Sequence, residues 1–467
     1  VPLQRQSRWV KSFQRSRKIV TVKTHYSSNL NRFERLACDQ DIVHRSPHRW
    51  VCHYWSLVED FGAMISTLPT APGVNLSRLR LDVRNLLPQV ITWRRQLHQY
   101  PELGFQETQT AAFIEDKLRQ WGIDYQAGIA KTGIVATIEG ARPGPTLALR
   151  ADMDALPVQE LNEVDYRSRH DGRMHACGHD GHTAIALGTA YYLAQHRQSL
   201  AGTVKVIFQP AEEGPGGAKP MIEAGVLRNP DVDAIFGLHL WNNLPVGTIG
   251  VRPGPLMAAV ELFSCQILGR GGHGAMPHQT IDSVLVGAQI VTALQSIVAR
   301  NIDPIDSAVV TVGEFHAGTA KNVIADTATL AGTVRYFNPA LEGAIQDRIT
   351  AMIDGICAAH GAKYELDYRC IYPATINDPA AADRVRRVAE TAIETPLGIV
   401  PNCQTMGGED MSFFLKEVPG CYFFVGAANP EKGLAFPHHH PRFDFDETAL
   451  AMGMELFLRI IESFDAA

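Results

Sequence analysis

The run Met174-His175-Ala176-Cys177-Gly178-His179-Asp180-Gly181-His182 puts one cysteine, one aspartate and three histidines into nine residues. An apolar helical stretch, Thr183-Ala184-Ile185-Ala186-Leu187-Gly188, follows at once. A thiolate and an imidazole two residues apart, where a loop becomes a helix, form half of a transition-metal site. Further donors follow along the chain. Phe208-Gln209-Pro210-Ala211-Glu212-Glu213 carries two acids off an apolar strand, His239 sits inside the apolar run Ala234–Trp241, and three histidines stand together at His438-His439-His440. Alone, a histidine such as His239 is more often a hydrogen-bonded core residue than a ligand. Together, Cys177, His179, Glu213, His239 and one of His438–His440 are a mixed sulfur, nitrogen and oxygen set. Such a set suits zinc, manganese, cobalt or nickel better than magnesium or calcium. Five ligand residues exceed the four of a closed structural zinc site, which points to two divalent metal ions sharing a bridging ligand. A metal pair lowers the pKa of water and polarises a carbonyl. Glu212, beside a ligand but not itself one, is placed as general base and proton shuttle. The chemistry implied is hydrolysis of an unactivated acyl bond.

Elements that could position these residues are legible from periodicity. Apolar residues recur at helical spacing from Leu81 to His98, and a second helix spans about Thr108 to Trp121. Strands are expected at Gly133–Glu139, Thr146–Arg150, Thr203–Pro210 and Ala234–Trp241. Asp152 and Asp154 leave the second of these at its carboxyl end, where α/β sheets build their sites. Between about Ala258 and Ala374 the order becomes β-α-β-β-α-β, that of a ferredoxin-like unit. The α/β pattern resumes after Asp378 and closes with a helix from Asp446 to about Phe464. The expected class is therefore α/β, a metallopeptidase-type catalytic domain (76–257 and 377–467) interrupted by an inserted ferredoxin-like dimerisation or lid domain (258–376).

The totals exclude several functions. The chain has 467 residues, 45% hydrophobic and 20% charged, the balance of a globular protein with room for two or three domains. A net charge of -6 argues against a nucleic-acid partner. No apolar run reads as long enough to span a membrane, and no signal-peptide pattern opens the chain. The eight cysteines lack a framework spacing, which points to reduced thiols in a cytoplasm. Residues 1–75 read as a basic extension. The first 63 residues carry eleven Lys/Arg against five Asp/Glu, and no acid precedes Glu34. A transit peptide and a disordered basic arm both fit. The reading preferred here is a start site set too far upstream, with Met64 opening the native chain; intact-mass analysis from the native host tests it.

At this point the chain resembles the hippurate hydrolase, indole-acetyl-amino-acid (IAA) hydrolase and N-acyl-amino-acid amidohydrolase branch of the dinuclear-metal aminoacylase/carboxypeptidase family. The resemblance covers roughly residues 80–465. It rests on Leu97-His98-Gln99-Tyr100-Pro101-Glu102-Leu103, on Arg150-Ala151-Asp152-Met153-Asp154-Ala155-Leu156-Pro157 and on the Cys177 motif. It continues through Phe208–Glu213, Gly271-Gly272-His273-Gly274, Gly407-Gly408-Glu409-Asp410 and His439-His440-Pro441. The resemblance implies that Cys177, His179, Glu213, His239 and His439 are the metal ligands, with Cys177 as bridge, and that Glu212 is the catalytic acid/base. Related branches carry a ligand histidine in a His-x-Asp motif; its position here is taken as Arg150, which leaves Asp152 to orient a ligand imidazole from behind. His273 is expected to reach a neighbouring subunit's site and steady the oxyanion, and Asn322 and Arg335 to hold the substrate carboxylate, for which an arginine fork is suited. Gly408 is expected beside the substrate. The implied partner is a small N-acyl-amino acid, and the implied assembly a homodimer through the inserted domain. The rivals are an N-acetyl-diaminopimelate deacetylase or dipeptidase on the same scaffold, and a non-catalytic metal-containing binding protein.

Overall fold

The computed structural model describes residues 76–392 and 398–465. The expectations for residues 1–75, the Met64 start included, lie outside the described residues.

An eight-stranded mixed sheet organises the catalytic part. Its order is Asp124–Ile129, Gly133–Glu139, Ala201–Gln209, Arg142–Asp152, Ala234–Pro245, Gly420–Ala428, Ile249–Gly250 and Ile399–Val400. The strand Arg142–Asp152 runs parallel to both of its neighbours, with Asp152 opposite Gln209 and Arg150 opposite Gly237. Strands covered on both faces read as continuous apolar runs, and this one is buried from Thr146 to Asp152. The helices Leu81–Gln99, His179–Gln195 and Thr448–Glu462 share one core with it. His179–Gln195 is apolar nearly all round and almost wholly buried. Two glycines allow its close approach: a Cβ at Gly181 would lie 2.4 Å from Leu240 Cδ1, and one at Gly188 2.4 Å from Met454 Sδ.

A second, four-stranded antiparallel sheet has the order Ala308–Ala317, Thr327–Tyr336, Ala259–Leu268 and Lys363–Tyr372. The helices Ser283–Asn301 and Ala344–His360 pack on it around their own core of Phe263, Ile267, Ile290, Leu294, Ile349 and Ile353. This is the βαββαβ order expected. The segments that lead in and out, Gly254–Met257 and Thr375–Asn377, pair antiparallel as a short ribbon.

Two sequence expectations need correction. Ser283–Asn301, with 19 residues and a mean hydropathy of 1.4, does have the length and composition to cross a membrane. It lays Val286, Ile290, Leu294 and Ile297 onto the second sheet and leaves Val284 and Leu285 exposed. The edge strand Asp124–Ile129 was not expected, because its residues are mostly exposed and carry no apolar alternation.

Candidate metal centre

The carboxyl ends of the parallel strands and the loops leaving them converge on one cavity of about 340 Å³. The Cys177 loop enters the helix His179–Gln195 through Gly178, whose φ of +96° only glycine adopts easily. Both ring nitrogens of the key histidines can be assigned from their partners, because a carbonyl can only accept. His179 Nδ1–H donates to Asp154 O at 3.0 Å. Its Nε2, the nitrogen free to take a cation once the ring gives up its proton, is buried with no hydrogen-bond partner. His239 Nδ1–H donates to Leu240 O at 2.7 Å, and its Nε2 faces Cys177 Sγ at 3.4 Å. Glu213 Oε1, also buried without a hydrogen bond, lies 4.0 Å from His179 Nε2 and 3.1 Å from His439 Nε2.

These donors form two triads, Cys177/His179/His239 and Cys177/Glu213/His439, each with its ligand atoms within 4.8 Å of one another. The triads share Cys177. A buried imidazole nitrogen and a carboxylate oxygen left without hydrogen bonds are costly unless a cation takes them. The residues therefore fit a pair of metal ions.

The three neighbouring histidines separate by contact. His438 Nε2–H donates to Leu240 O at 2.9 Å, and its ring stacks on Trp241. His440 stacks on Phe436, and its Nδ1 accepts from Arg442 N–H. His439 alone of the three turns to Glu213. It adopts φ +65°, a left-handed conformation unusual for a non-glycine residue, and its N–H is pinned to Ala176 O at 2.7 Å.

Electrostatics follow from burial among acids. Burial pushes the Cys177 thiol well up, and Glu213 and Glu212 add to it. Burial also raises Glu212 well above the usual carboxylate range, reinforced by Glu409, Glu213 and Asp410. For Glu213 burial is outweighed by His439 and His179, which hold it below its ordinary value. For His179, burial alone would lower the pKa, but Asp152, Asp154 and Glu213 drive it up to about 10.

Asp152 departs from expectation. Its Oδ1 holds His182 Nδ1 at 2.6 Å and its Oδ2 takes Arg150 Nη1 at 2.6 Å. Asp154 is the residue behind the candidate ligand His179. Besides the carbonyl bond, its Oδ1 lies 3.3 Å from His179 Nδ1, and its carboxylate accepts the N–H groups of Glu212 and Glu213 at 3.0 Å each. Asp152 instead lies on the far side of that ring, 3.8 Å from Nε2. The backing acid thus stands two residues later than the motif register assumed, in the loop after the strand ends. Arg150, fully buried, is a hub: Nε meets Gln209 at 2.8 Å, and Nη2 meets Asp410 at 2.8 Å and Glu409 at 2.9 Å.

Of the residues expected to touch substrate, Arg335 and Gly408 line the cavity. Arg335 donates to Thr333 Oγ1 and Val334 O, and pairs with no acid among the described residues. At Gly408 a Cβ would come 2.0 Å from Val260 Cγ2, so glycine is required where the second sheet presses on this loop. His273 and Asn322 lie together on an exposed ribbon, Gly274 N–H donating to Asn322 O, and neither is among the residues lining the cavity. Sequence reasoning missed Tyr372. It leaves the second sheet to donate its hydroxyl to Glu212 O at 2.6 Å, a contact that only tertiary structure creates.

Fold and donor set define a metal-dependent hydrolase of amide bonds. Residues 148–463 match peptidase family M20/M25/M40, and the chain belongs to that family. It is 46% identical over 318 residues to the N-acyl-L-amino acid amidohydrolase of Geobacillus stearothermophilus, covering 66% of this chain and 85% of that one. It is 40% identical over 369 residues to the IAA-amino acid hydrolase ILR1-like 4 of Arabidopsis thaliana, covering 78% and 82%. Among solved structures it is similar to the Bacillus subtilis YXEP protein, described as a dinuclear metal binding peptidase from the M20 family. The identity is 37% and the TM-score 0.71, over 82% of this chain and all of that one.

Proposed function

We propose that the chain cleaves N-acyl-L-amino acids, of the hippurate or auxin-conjugate type, into a carboxylic acid and a free amino acid. Cys177, His179 and His239 would hold one divalent ion and Cys177, Glu213 and His439 a second, from among manganese, zinc, cobalt and nickel. Bound there, the ions would supply an acidified water and a polarised carbonyl. Glu212 takes the proton of the attacking water and returns it to the leaving nitrogen; its raised pKa suits that exchange. Arg335 forks onto the substrate carboxylate. His273 and Asn322 serve the cavity of a second copy, docked through the exposed Phe315 of the second sheet and the exposed Val284 and Leu285 of the helix Ser283–Asn301 packed on it.

The observation that carries this reading is the pair of donor triads sharing the Cys177 sulfur beside Glu212. The test is elemental analysis combined with a hydrolysis panel. Two metal ions per chain are expected, with turnover of acetyl- and benzoyl-amino acids that fails when their carboxylate is amidated. Faster cleavage of dipeptides would favour a peptidase instead. Sedimentation that finds only monomer would remove His273 from the site.

A further inference from the structure

His182 closes the motif that opens the sequence, yet none of the roles above uses it. It stands three residues after His179, on the same face of the helix His179–Gln195. Its ring lies 5.4 Å from that of His179 and packs edge-on against that of His239 at 4.6 Å. Asp152, His179 and His182 together offer donor atoms within 4.8 Å, so a third ligand role has to be weighed. Both ring nitrogens are already engaged, however. Leu240 N–H donates to His182 Nε2 at 2.8 Å, so Nε2 must be the acceptor. Nδ1 then carries the hydrogen and donates to Asp152 Oδ1 at 2.6 Å.

The backbone of Leu240 is consequently bound on both sides of its Cα. Its N–H goes to His182, and its carbonyl receives Nδ1–H of His239 at 2.7 Å and Nε2–H of His438 at 2.9 Å. The carbonyl fixes the tautomer that leaves His239 Nε2 free to face Cys177. A partner that sets which nitrogen is protonated also sets which one can bind metal. We propose that His182 is a positioning residue: held by Asp152, it clamps the backbone of Leu240 at its N–H, and the carbonyl of the same residue orients His239 toward Cys177 Sγ. This rests on His239 being a metal ligand.

Two variants separate the halves of the clamp. His182→Asn keeps a donor toward Asp152 but cannot reach Leu240 N–H. His182→Gln can offer its amide oxygen to Leu240 N–H while giving up the donor to Asp152. Metal-free full-length chains are titrated with Zn²⁺ against a competing chelator, and their thermal melting without metal is recorded. His182→Asn is expected to bind Zn²⁺ about 10- to 100-fold more weakly, with the metal-free melt near that of the parent. His182→Gln should recover most of the affinity. Unchanged affinity in His182→Asn would overturn the proposal. So would loss of its metal-free cooperative melt, because His182 would then be a packing residue. A parent chain that binds no Zn²⁺ would instead sink the ligand reading on which the proposal stands.

Discussion

Two clusters of buried acids lie at the same end of one sheet and differ in how far their polar atoms are already engaged. Around Arg150 sit Asp152, Glu409 and Asp410, and the cluster supplies its own cation. Its acceptors are filled as well: Glu409 takes Met411 N–H and Tyr422 Oη–H, and Asp410 takes Gln209 and the N–H groups of Gly217 and Ala218. Around Cys177 the same kinds of acid stand with histidines, and His179 Nε2 and Glu213 Oε1 have no hydrogen-bond partner. Buried carboxylates therefore do not mark a metal site by themselves. Glu212, Glu409 and Asp410 are close enough to hold an ion, yet two of these three already spend their oxygens on Arg150. What distinguishes the thiolate cluster is unspent coordination capacity.

The largest effect should come from Cys177→Ser, which removes the atom common to both triads. Loss of both ions and of all measurable hydrolysis is expected; full metal occupancy by elemental analysis would break the comparison. Glu212→Gln should keep its metal and lose about 10²- to 10⁴-fold in turnover, since it removes only a proton carrier. Near-parental rates on acetyl-amino acids would show that another group carries the proton. Arg150→Met attacks the other cluster. Removing the cation strands buried carboxylates and should cost about 3–5 kcal/mol of stability, measured by denaturant unfolding of the metal-free chain. An unchanged midpoint would mean the acids there are protonated or hydrated without it.

Acidity sharpens the same contrast. In the metal-free chain His179 is raised to about 10 and the Cys177 thiol is raised well above its ordinary value. Both are protonated near neutrality, and both protons must leave when a metal binds. Affinity should therefore rise with pH across 6 to 9, by about tenfold per unit for each proton released, and fall as the medium is acidified. Chelator competition at several pH values reads this slope; a flat profile would contradict the donor assignment. The smallest change expected is from Tyr372→Phe. Loss of one hydrogen bond to the Glu212 carbonyl, worth about 1 kcal/mol, should slow turnover up to about fivefold without altering metal content. An unchanged turnover number would make the contact incidental.

Much of this was legible from residue order. Cys177, His179 and the Glu212-Glu213 pair leave elements whose apolar runs announce them, and the βαββαβ order of the second sheet follows from plain periodicity. The contacts of Asp152 and Asp154 were not legible. The strand stops at Asp152, so the period-two rule lapses there, and only the turn that follows brings Asp154 behind His179. Choosing among His438, His439 and His440 likewise required the backbone, because a left-handed φ at His439 decides which ring faces Glu213. Tyr372 and the backbone of Leu240 carry no local signal, since each acts through a partner far away in the chain or through a main-chain group that any residue possesses.

The most direct test of a thiolate shared by two ions is substitution with cobalt(II). Two cobalt ions per chain and a near-ultraviolet sulfur-to-cobalt charge-transfer band are predicted, with ions and band both lost in Cys177→Ser. Two bound cobalt ions with no sulfur band, or a Cys177→Ser chain that keeps both ions, would contradict it.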